Sequence, residues 1–388
     1  MMIYFLTFIV LLFIIIFSID VIQAFYTWQS RIKIGRFKNR EDWQNKVLQI
    51  SRKWLRKTPT VKLTDNTRLI FIDILKGKYR SSAIQSWQEA ALLLGLSAYV
   101  DRIADKPTRN HVENFISKKV KPSGNWKLQP TESDHAILAY AFLNCQFLDQ
   151  QKYRPAYDET YRMIISLTGE DGTVAYKSYK KDFRFVDTVG FICPFLIKYG
   201  VVFNIPEALD LGVKQIMEYQ KYGMMNQENI PCHTYHVESK IPTGLFGWGR
   251  GLGWWVIGLA DSWWELPERH YAKKDLEQLV IKTAHSALKF QEENGGFHWL
   301  LFDRSSRLDS STAATLSWFF SVGESIPEIS AQCKVGKEKA LNYLQSVTRR
   351  NGAIDFSQGD TKGIGVYSQN FDILPFAQGF VLRTLNAI

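Results

Sequence analysis

The chain has 388 residues, of which 46% are hydrophobic and 22% are charged, so it is long enough to fold around one large core or two ordinary ones. Its four cysteines contain no CxxC pair, which argues against a disulfide framework or a thiolate zinc site, and we expect four reduced or buried thiols. The formal net charge is +10, and residues 31–57 carry +8 of it. Because the rest of the chain is close to neutral, no nucleic-acid-binding surface is predicted.

The first predicted element is an apolar segment, MMIYFLTFIVLLFIIIFSIDVIQAFYTW, which contains no Lys or Arg. A cleaved signal peptide normally begins with positive charge, so we predict an uncleaved membrane anchor over residues 1–27, with a cleaved signal as the alternative. The basic residues that follow predict, by the positive-inside rule, a single-pass protein of the inner membrane with its main domain on the cytoplasmic side. A periplasmic or secreted protein is the alternative. The basic side chains are also suited to anionic lipid head groups.

Residues 28–60 are predicted to form a basic juxtamembrane segment and a first outer helix, and residues 61–388 a single domain. Within that domain, six short apolar segments recur, each rich in small residues and each opening with polar ones. Their starts lie about 48 to 64 residues apart, at Gln85, Ser133, Val186, Arg250, Asp309 and Ser368. A fixed spacing of this kind predicts a repeat architecture.

Longer segments between the apolar ones carry charges and place apolar residues at i, i+3 and i+4, as in IPEALDLGVKQIMEYQKY, which is typical of helices with one solvated face. Several are followed by a glycine turn and a short β-prone run, such as ENGGFHWLLF. Six helices that are apolar nearly all round must be buried on every side. The sequence therefore predicts an all-α (α/α)6 barrel, a toroid of six helical hairpins behind an N-terminal hydrophobic anchor. An α-solenoid is the structural alternative.

In such a barrel, the residues that open the inner helices line one funnel. Asp134 and Asp187 open two neighbouring inner helices. Each is a good helix N-cap, but two acids at one mouth also suit general acid catalysis, because an apolar or like-charged setting raises the pKa of a carboxyl group.

The stretch GLFGWGRGLGWWVIGLADSWWELP places one arginine, Arg250, among aromatic residues and glycines. A guanidinium binds a carboxylate through two parallel hydrogen bonds, and the indoles of Trp248 and Trp254 are suited to the apolar face of a sugar ring. The three glycines within residues 249–253 indicate close approach of either a neighbouring helix or a ligand.

Two further segments supply polar groups to the predicted funnel. PCHTYHVES brings His233, which we expect to hydrogen-bond a ligand or carry a proton, and no metal site is predicted because no acid or cysteine with ligand spacing accompanies it. DSSTAA brings Ser310 and Ser311, which either cap a helix or contact a ligand. No serine-hydrolase, P-loop or dinucleotide motif is present.

Taken in order, FVDTVGFICPFLIKYG, HTYH, GWGRGLGWWVIGLADSWWELP and DSSTAA resemble the unsaturated glucuronyl and rhamnogalacturonyl hydrolases of glycoside hydrolase families 88 and 105, over about residues 85 to 380. The chain also resembles the proteins of this barrel type that are found with bacterial exopolysaccharide biosynthesis, the VpsJ type. The resemblance implies catalytic roles for Asp187, as general acid and base, and for Asp134. It also implies substrate contacts from His233, Trp248, Arg250, Trp254, Ser310 and Ser311.

The chemistry that the resemblance implies is hydration of the C4=C5 double bond of an unsaturated uronic acid, with no metal or organic cofactor. The resulting hemiketal opens and releases the sugar. We therefore expect a membrane-tethered hydrolase of an acidic oligo- or polysaccharide in bacterial exopolysaccharide metabolism. Ordinary acid and base glycoside hydrolysis is a variant, and a non-catalytic glycan-binding, accessory or scaffolding protein is the alternative, because fold alone does not decide function.

Overall fold

The protein is described here by a computed structural model, for residues 1–59, 61, 64–77 and 86–387. It is mainly helical. Its helices are α1 (Met2–Arg31), α2 (Arg40–Arg56), α3 (Ile70–Leu75), α4 (Ser86–Ile103), α5 (Lys106–Lys119), α6 (His135–Leu143), α7 (Gln150–Ser166), α8 (Val186–Phe203), α9 (Pro206–Tyr222), α10 (Gly249–Glu265), α11 (Lys273–Lys289), α12 (Ser310–Gly323), α13 (Ser330–Ser346) and α14 (Pro375–Leu385).

In the described part of the chain, seven short strands lie in the loops between helices: β1 (Phe183–Phe185), β2 (Met224–Met225), β3 (Ile230–Pro231), β4 (Thr234–His236), β5 (Pro242–Thr243), β6 (Ser357–Gln358) and β7 (Phe371–Asp372). They form a three-stranded sheet in the order β1-β4-β5 and the two pairs β2-β3 and β6-β7, all antiparallel.

Six helices form a closed inner ring. Each of α4, α6, α8, α10, α12 and α14 packs against the next, and α14 packs back against α4. Most of their residues are buried, as the apolar composition of these segments predicts. The contact between α14 and α4 closes the ring, which confirms the (α/α)6 barrel and excludes an open solenoid.

The amphipathic helices α2, α5, α7, α9, α11 and α13 pack outside this ring, each preceding an inner helix in the chain. Four of the turns that follow outer helices contain a glycine with positive φ, a conformation that other residues rarely adopt: Gly124, Gly172, Gly295 and Gly352. The repeated unit is therefore the predicted outer helix, glycine turn, short extended run and inner helix.

The inner helices begin at the same end of the barrel. The hydroxyl of Ser86 on α4 lies 3.3 Å from Nδ1 of His135 on α6, and the side chain of Gln88 accepts a hydrogen bond from the backbone of Phe376 on α14. Trp254 on α10 contacts the ring of Trp87 on α4, at 5.6 Å between centroids. The loops that lead into these helices therefore surround one mouth, as the sequence predicts.

The glycines of α10 allow close contact with its neighbours. A Cβ on Gly249 or Gly253 would lie 2.5 or 2.6 Å from the hydroxyl of Thr312 or Thr315 on α12. On the opposite side, a Cβ on Gly258 would lie 2.7 Å from the backbone oxygen of Val189 on α8. Of the two explanations for this glycine pattern, close packing of neighbouring helices is the one that the structure supports.

The N-terminal helix α1 extends to Arg31, four residues beyond the predicted anchor, and none of its residues is fully buried. Three arginines of the basic segment pair with carboxylates of the barrel: Arg31 with Asp355, Arg40 with Glu338 and Arg52 with Asp105. Part of the positive charge is thus used within the fold. All four cysteines are free and buried, as expected.

Candidate active site

A cavity of about 230 Å³ opens at the mouth of the barrel. Five of the residues singled out in the sequence line it: Asp187, His233, Trp248, Arg250 and Trp254. Short strands bring the first two together, because β1 directly precedes α8 and pairs with β4, which directly follows His233. The backbone N–H of Val186 also donates to the carbonyl of His233, at 3.0 Å.

Asp187 lies in the first turn of α8, and its side chain is only 15% exposed. Its Oδ2 atom is buried and has no hydrogen-bond partner among the described residues. Burial raises the pKa of this carboxyl group to about 7, opposed by the positive charge of Arg250 and supported by the negative charge of Asp360. Asp187 can therefore be protonated near neutral pH and can donate that proton.

His233 faces Asp187, with 3.7 Å between its Nε2 atom and Oδ2 of the carboxyl group. Its Nδ1 atom lies 3.2 Å from the hydroxyl of Tyr367. Burial lowers the pKa of His233 to about 3, and the positive charges of Lys180 and Arg250 act in the same direction. The imidazole is therefore neutral, and it can hydrogen-bond a sugar hydroxyl or water beside Asp187 without adding charge.

Arg250 is 1% exposed, and two backbone carbonyls hold its guanidinium. The group donates from Nη1 to the carbonyl of Gln358 and from Nη2 to that of Gly359, the latter at 2.7 Å. A guanidinium has five N–H donors, so these two hydrogen bonds do not use its full capacity, and Arg250 lines the cavity where a ligand carboxylate would bind. The side-chain oxygen of Gln358 also accepts a hydrogen bond from the indole of Trp248, at 2.9 Å.

The two tryptophans are built into the wall of the cavity. Trp248 packs against the rings of His233 and Tyr367, with centroids 4.8 and 5.3 Å away. Trp254 packs against Phe191 and Phe376, at 4.5 and 4.7 Å. Both indoles are at most 2% exposed, so they offer little open ring surface on which a sugar could stack.

Asp134 lies in a neighbouring cavity of about 370 Å³. It is 6% exposed and makes no capping hydrogen bond at the start of α6. Burial raises the pKa of Asp134 to about 7, and the charge of Glu132 adds to this effect. Tyr176, whose pKa both Asp134 and Asp187 raise further, lines the cavity of Asp187. The two acids are thus close to the same tyrosine but border different cavities.

Ser310 and Ser311 are fully buried and lie outside both of these cavities. Ser310 is hydrogen-bonded to Ser357 at 2.7 Å, and Ser311 donates to the carboxylate of Asp309 at 2.7 and 2.8 Å. The same carboxylate accepts the backbone N–H of Gln358. In this structure the serines therefore support the loop that holds Arg250.

Several lining residues were not anticipated from the sequence. Asp360 borders the cavity, and burial raises the pKa of its carboxyl group. Three lysines border it as well: Lys177, Lys180 and Lys362. All four belong to loops that lead into inner helices, as His233 does, and that position was the only signal available. Lys177 is paired with Glu132 and Lys362 with Asp65, at 2.7 and 2.6 Å, so Lys180 and Arg250 supply most of the positive charge at the cavity.

Within residues 1–59, 61, 64–77 and 86–387, no group of three or more His, Cys, Asp and Glu side chains is placed to hold a metal ion.

Comparison with known proteins places this pocket in a family. The model of Glycosyl Hydrolase Family 88 matches residues 61–382. Solved structures with the same fold include a possible family 105 member from Klebsiella pneumoniae subsp. pneumoniae (TM-score 0.76, 16% identity, 91% of this chain and 94% of that one). Another possible family 105 member, from Salmonella enterica subsp. enterica serovar Paratyphi A, has a TM-score of 0.75 at 16% identity, over 91% and 94% of the two chains.

The unsaturated glucuronyl hydrolase of Bacillus sp. GL1, which is responsible for the degradation of glycosaminoglycan, is also similar in structure. Its TM-score is 0.68 at 15% identity, and the match covers 88% of this chain and 96% of that one. These likenesses show a common six-hairpin fold of the unsaturated uronyl hydrolase type. Since the family match spans most of the chain, including every residue that lines the pocket, the protein belongs to glycosyl hydrolase family 88 and is a glycoside hydrolase.

Proposed function

We propose that the protein is a membrane-tethered hydrolase of an unsaturated uronyl group on an acidic oligo- or polysaccharide, with Asp187 as general acid and base. The observation that carries the proposal is the buried carboxyl group of Asp187. Its pKa is about 7, its Oδ2 atom lacks a partner among the described residues, and it faces a neutral imidazole in an enclosed pocket. A proton donor of this kind suits reaction at neutral pH.

The proposed reaction begins when protonated Asp187 donates its proton to C4 of the C4=C5 double bond, leaving positive charge shared by C5 and the ring oxygen. Water then attacks C5, and the carboxylate of Asp187 takes a proton from that water, which restores the acid. The product is a hemiketal at C5, which opens and releases the attached sugar. His233 is placed to orient the water or a sugar hydroxyl beside Asp187.

The charges at the mouth support an acidic substrate. Arg250 and Lys180 border the cavity, beside Lys177 and Lys362, which pair with Glu132 and Asp65. Both carboxyl groups in the lining, on Asp187 and Asp360, have raised pKa values. We assign Arg250 to the carboxylate of the uronyl group, and Trp248 and Trp254 to the shape of its binding site. We assign Asp134 a supporting role, because it lies close to Tyr176 in the lining of the cavity. We assign Ser310 and Ser311 to the support of the loop at Gln358 that holds Arg250.

The exposed apolar surface of α1 supports the membrane tether. The helix has 30 residues and a mean hydropathy of 2.9 over its most apolar window, and 30 helical residues span about 45 Å, against about 30 Å for the hydrocarbon core of a bilayer. We propose that residues 1–27 anchor the chain, residues 28–60 connect the anchor to the barrel, and residues 61–388 form the barrel domain.

The positive flank after the anchor favours the inner membrane with the barrel on the cytoplasmic side. The alternative is that the segment is cleaved as a signal sequence, which would give a periplasmic or secreted enzyme. Sequencing the N-terminus of the mature protein distinguishes the two. An anchored hydrolase of acidic glycans fits bacterial exopolysaccharide metabolism.

The proposed function predicts how the rate depends on pH. Because Asp187 must start protonated and its pKa is about 7, we expect kcat/KM to be constant below neutral pH and to fall as pH rises through about 7. The pKa of His233 is about 3, so ionisation of this residue causes no further change in kcat/KM between pH 4 and 8. The measurement is loss of the ultraviolet absorbance of the C4=C5 bond in an unsaturated uronyl disaccharide.

Asp182→Asn is the matched control, because Asp182 lies five residues before Asp187, in the loop that leads to α8, but is exposed. This variant is expected to keep the wild-type rate and the wild-type pH profile. A profile that stays flat well above neutral pH would contradict the assignment of Asp187 as the acid, and absence of turnover at any pH would contradict the proposed reaction.

A further inference from the structure

The C-terminal half of α1 docks at the mouth end of the barrel. The guanidinium of Arg31 donates to both carboxylate oxygens of Asp355, at 2.8 and 3.0 Å, and to the carbonyl of Phe371, at 3.1 Å. Asp355 itself is fully buried and is also bound by Arg349. Both acceptors belong to the segment between α13 and α14, which leads into an inner helix and so lies at the mouth.

The same segment joins the anchor helix to the catalytic pocket. Asp355 holds Arg31, and the carbonyl of Gly359 accepts a hydrogen bond from Arg250. Asp355 and Gly359 are four residues apart, and four residues of extended chain span at most about 14 Å. The contact of Arg31 with Asp355 therefore lies within about 14 Å of the backbone that binds Arg250. A cavity of about 580 Å³ lies between α1 and the barrel, and Gly359 is one of its lining residues.

The short helix α3 extends this membrane-side surface. The carboxylate of Asp20 on α1 accepts the backbone N–H groups of Leu69 and Ile70, the latter at 3.0 Å. This contact fixes α3 beside the middle of the anchor helix. Leu69, Ile72 and Leu75 are 40%, 42% and 71% exposed, so a row of apolar side chains stands free next to a predicted membrane span.

The two faces of α1 differ in this region. Asp20, Thr27 and Arg31 face the barrel and are partly buried, whereas Phe25 and Tyr26 are more than half exposed. A third aromatic residue, Trp28, is 61% exposed and also borders the cavity between α1 and the barrel. Aromatic residues concentrate where a membrane span meets the head groups. The aromatic group therefore marks the membrane boundary along α1 at the level where the helix docks on the mouth.

Exposed apolar side chains also occur at the opposite end of the barrel, for example Trp264 and Tyr271. Exposure alone therefore does not orient the molecule. The anchor does, because its partly buried face and its hydrogen bonds to Asp355 lie at the mouth end.

We propose that the mouth of the barrel rests on the bilayer surface, held there by α1 and α3, and that its substrate is an acidic glycan attached to a membrane lipid. The inference rests on the membrane tether and the uronyl hydrolase activity proposed above. The lysines at the rim of the pocket then face the head groups. The cavity beside α1 lies on the lipid-proximal side, and its lining residue Gly359 directly precedes Asp360 of the active-site cavity.

The orientation is tested in vesicles of phosphatidylcholine and phosphatidylglycerol with the full chain. The four native cysteines are buried, so a thiol-reactive fluorophore can be placed selectively at Val366→Cys, a 52% exposed position in the mouth loop, or at Glu268→Cys, an 85% exposed position at the opposite end. We expect a nitroxide on the lipid head groups to quench the label at 366 several times more strongly. Equal quenching, or stronger quenching at 268, would overturn the orientation.

The substrate class is tested by offering the same unsaturated uronyl disaccharide free in solution or linked to a dialkylglycerol in these vesicles. Confinement at the surface is expected to raise the rate on the lipid-linked form about tenfold. A Gly-Ser linker inserted after Ile34, combined with Arg31→Gln, should reduce that advantage severalfold and leave turnover of the free disaccharide unchanged. Equal rates on the two forms would overturn the substrate class.

The two readouts separate this inference from the function on which it rests. If neither form of the disaccharide is turned over, the uronyl hydrolase proposal and the substrate class both fail, while the quenching result still decides the orientation. If the full chain does not float with vesicles, the tether and the orientation fail together.

Discussion

Asp187→Asn is expected to lower kcat/KM for an unsaturated uronyl disaccharide by about 10³-fold, because Asn cannot supply the proton that C4 must receive. Asn has nearly the same size and hydrogen-bonding geometry as Asp, so KM should change little. Turnover is followed by the ultraviolet absorbance of the double bond, with Asp182→Asn as the matched control. A rate within a few fold of wild type would remove Asp187 from its proposed role.

The same substitution has a defined effect on stability. The folded-state pKa of Asp187 is about 7, against an ordinary value of 3.8. Ionisation therefore opposes folding, with a penalty that grows as pH rises from about 4 and is complete above about 7. Asn remains neutral throughout, so Asp187→Asn should have a Tm equal to or above that of wild type at pH 8. A loss of activity with a preserved or raised Tm is the signature of a catalytic group.

Arg250→Gln is expected to reduce kcat/KM roughly 100-fold for a substrate with a free carboxylate, because charge-assisted hydrogen bonds of this kind are each worth about 1.5–3 kcal/mol. The loss should appear mainly in KM and should largely disappear when the uronyl carboxylate is supplied as its methyl ester. Since the charge of Arg250 lowers the pKa of Asp187, its removal should also move the fall in kcat/KM to higher pH.

Two comparison variants make the Arg250 result interpretable. Arg250→Lys keeps the charge but cannot bind the carbonyls of Gln358 and Gly359 together with a carboxylate, so it should recover the pH profile more fully than the affinity. Arg304→Gln removes an exposed arginine outside the pocket and should behave as wild type. An Arg250→Gln enzyme that loses equal activity on the acid and the ester would contradict the assignment of Arg250 to the uronyl carboxylate.

The barrel was predictable because its cause is local. Helices that are apolar on all sides have to be buried, and six of them at regular spacing close into a ring with their amphipathic partners outside. The positions of Asp187 and Arg250 at the starts of inner helices also indicated that both lie at the mouth. A polar group at such a position reaches the mouth independently of the loop conformations.

The loops were not predictable in the same way. Gln358, which holds both Trp248 and Arg250, lies more than 100 positions away from them in sequence, and its role depends on where α14 returns in the ring. Asp134 and Asp187 border different cavities, although each lies at the start of an inner helix, so their position in the repeat did not indicate that they are separated. The hydrogen bonds between Arg31 and Asp355 join residues 324 positions apart, so the docking of the anchor helix could not be read from periodicity.

The central claim is that the pocket adds water across C4=C5 with Asp187 as the proton donor. Proton NMR of the reaction in D₂O tests it most directly. The account predicts that sugar release coincides with loss of the vinyl H4 signal and with one solvent deuteron at C4, and that Asp187→Asn stops both. Release of a sugar from a uronyl product that keeps its C4=C5 bond would show ordinary glycosidic cleavage and would contradict the account.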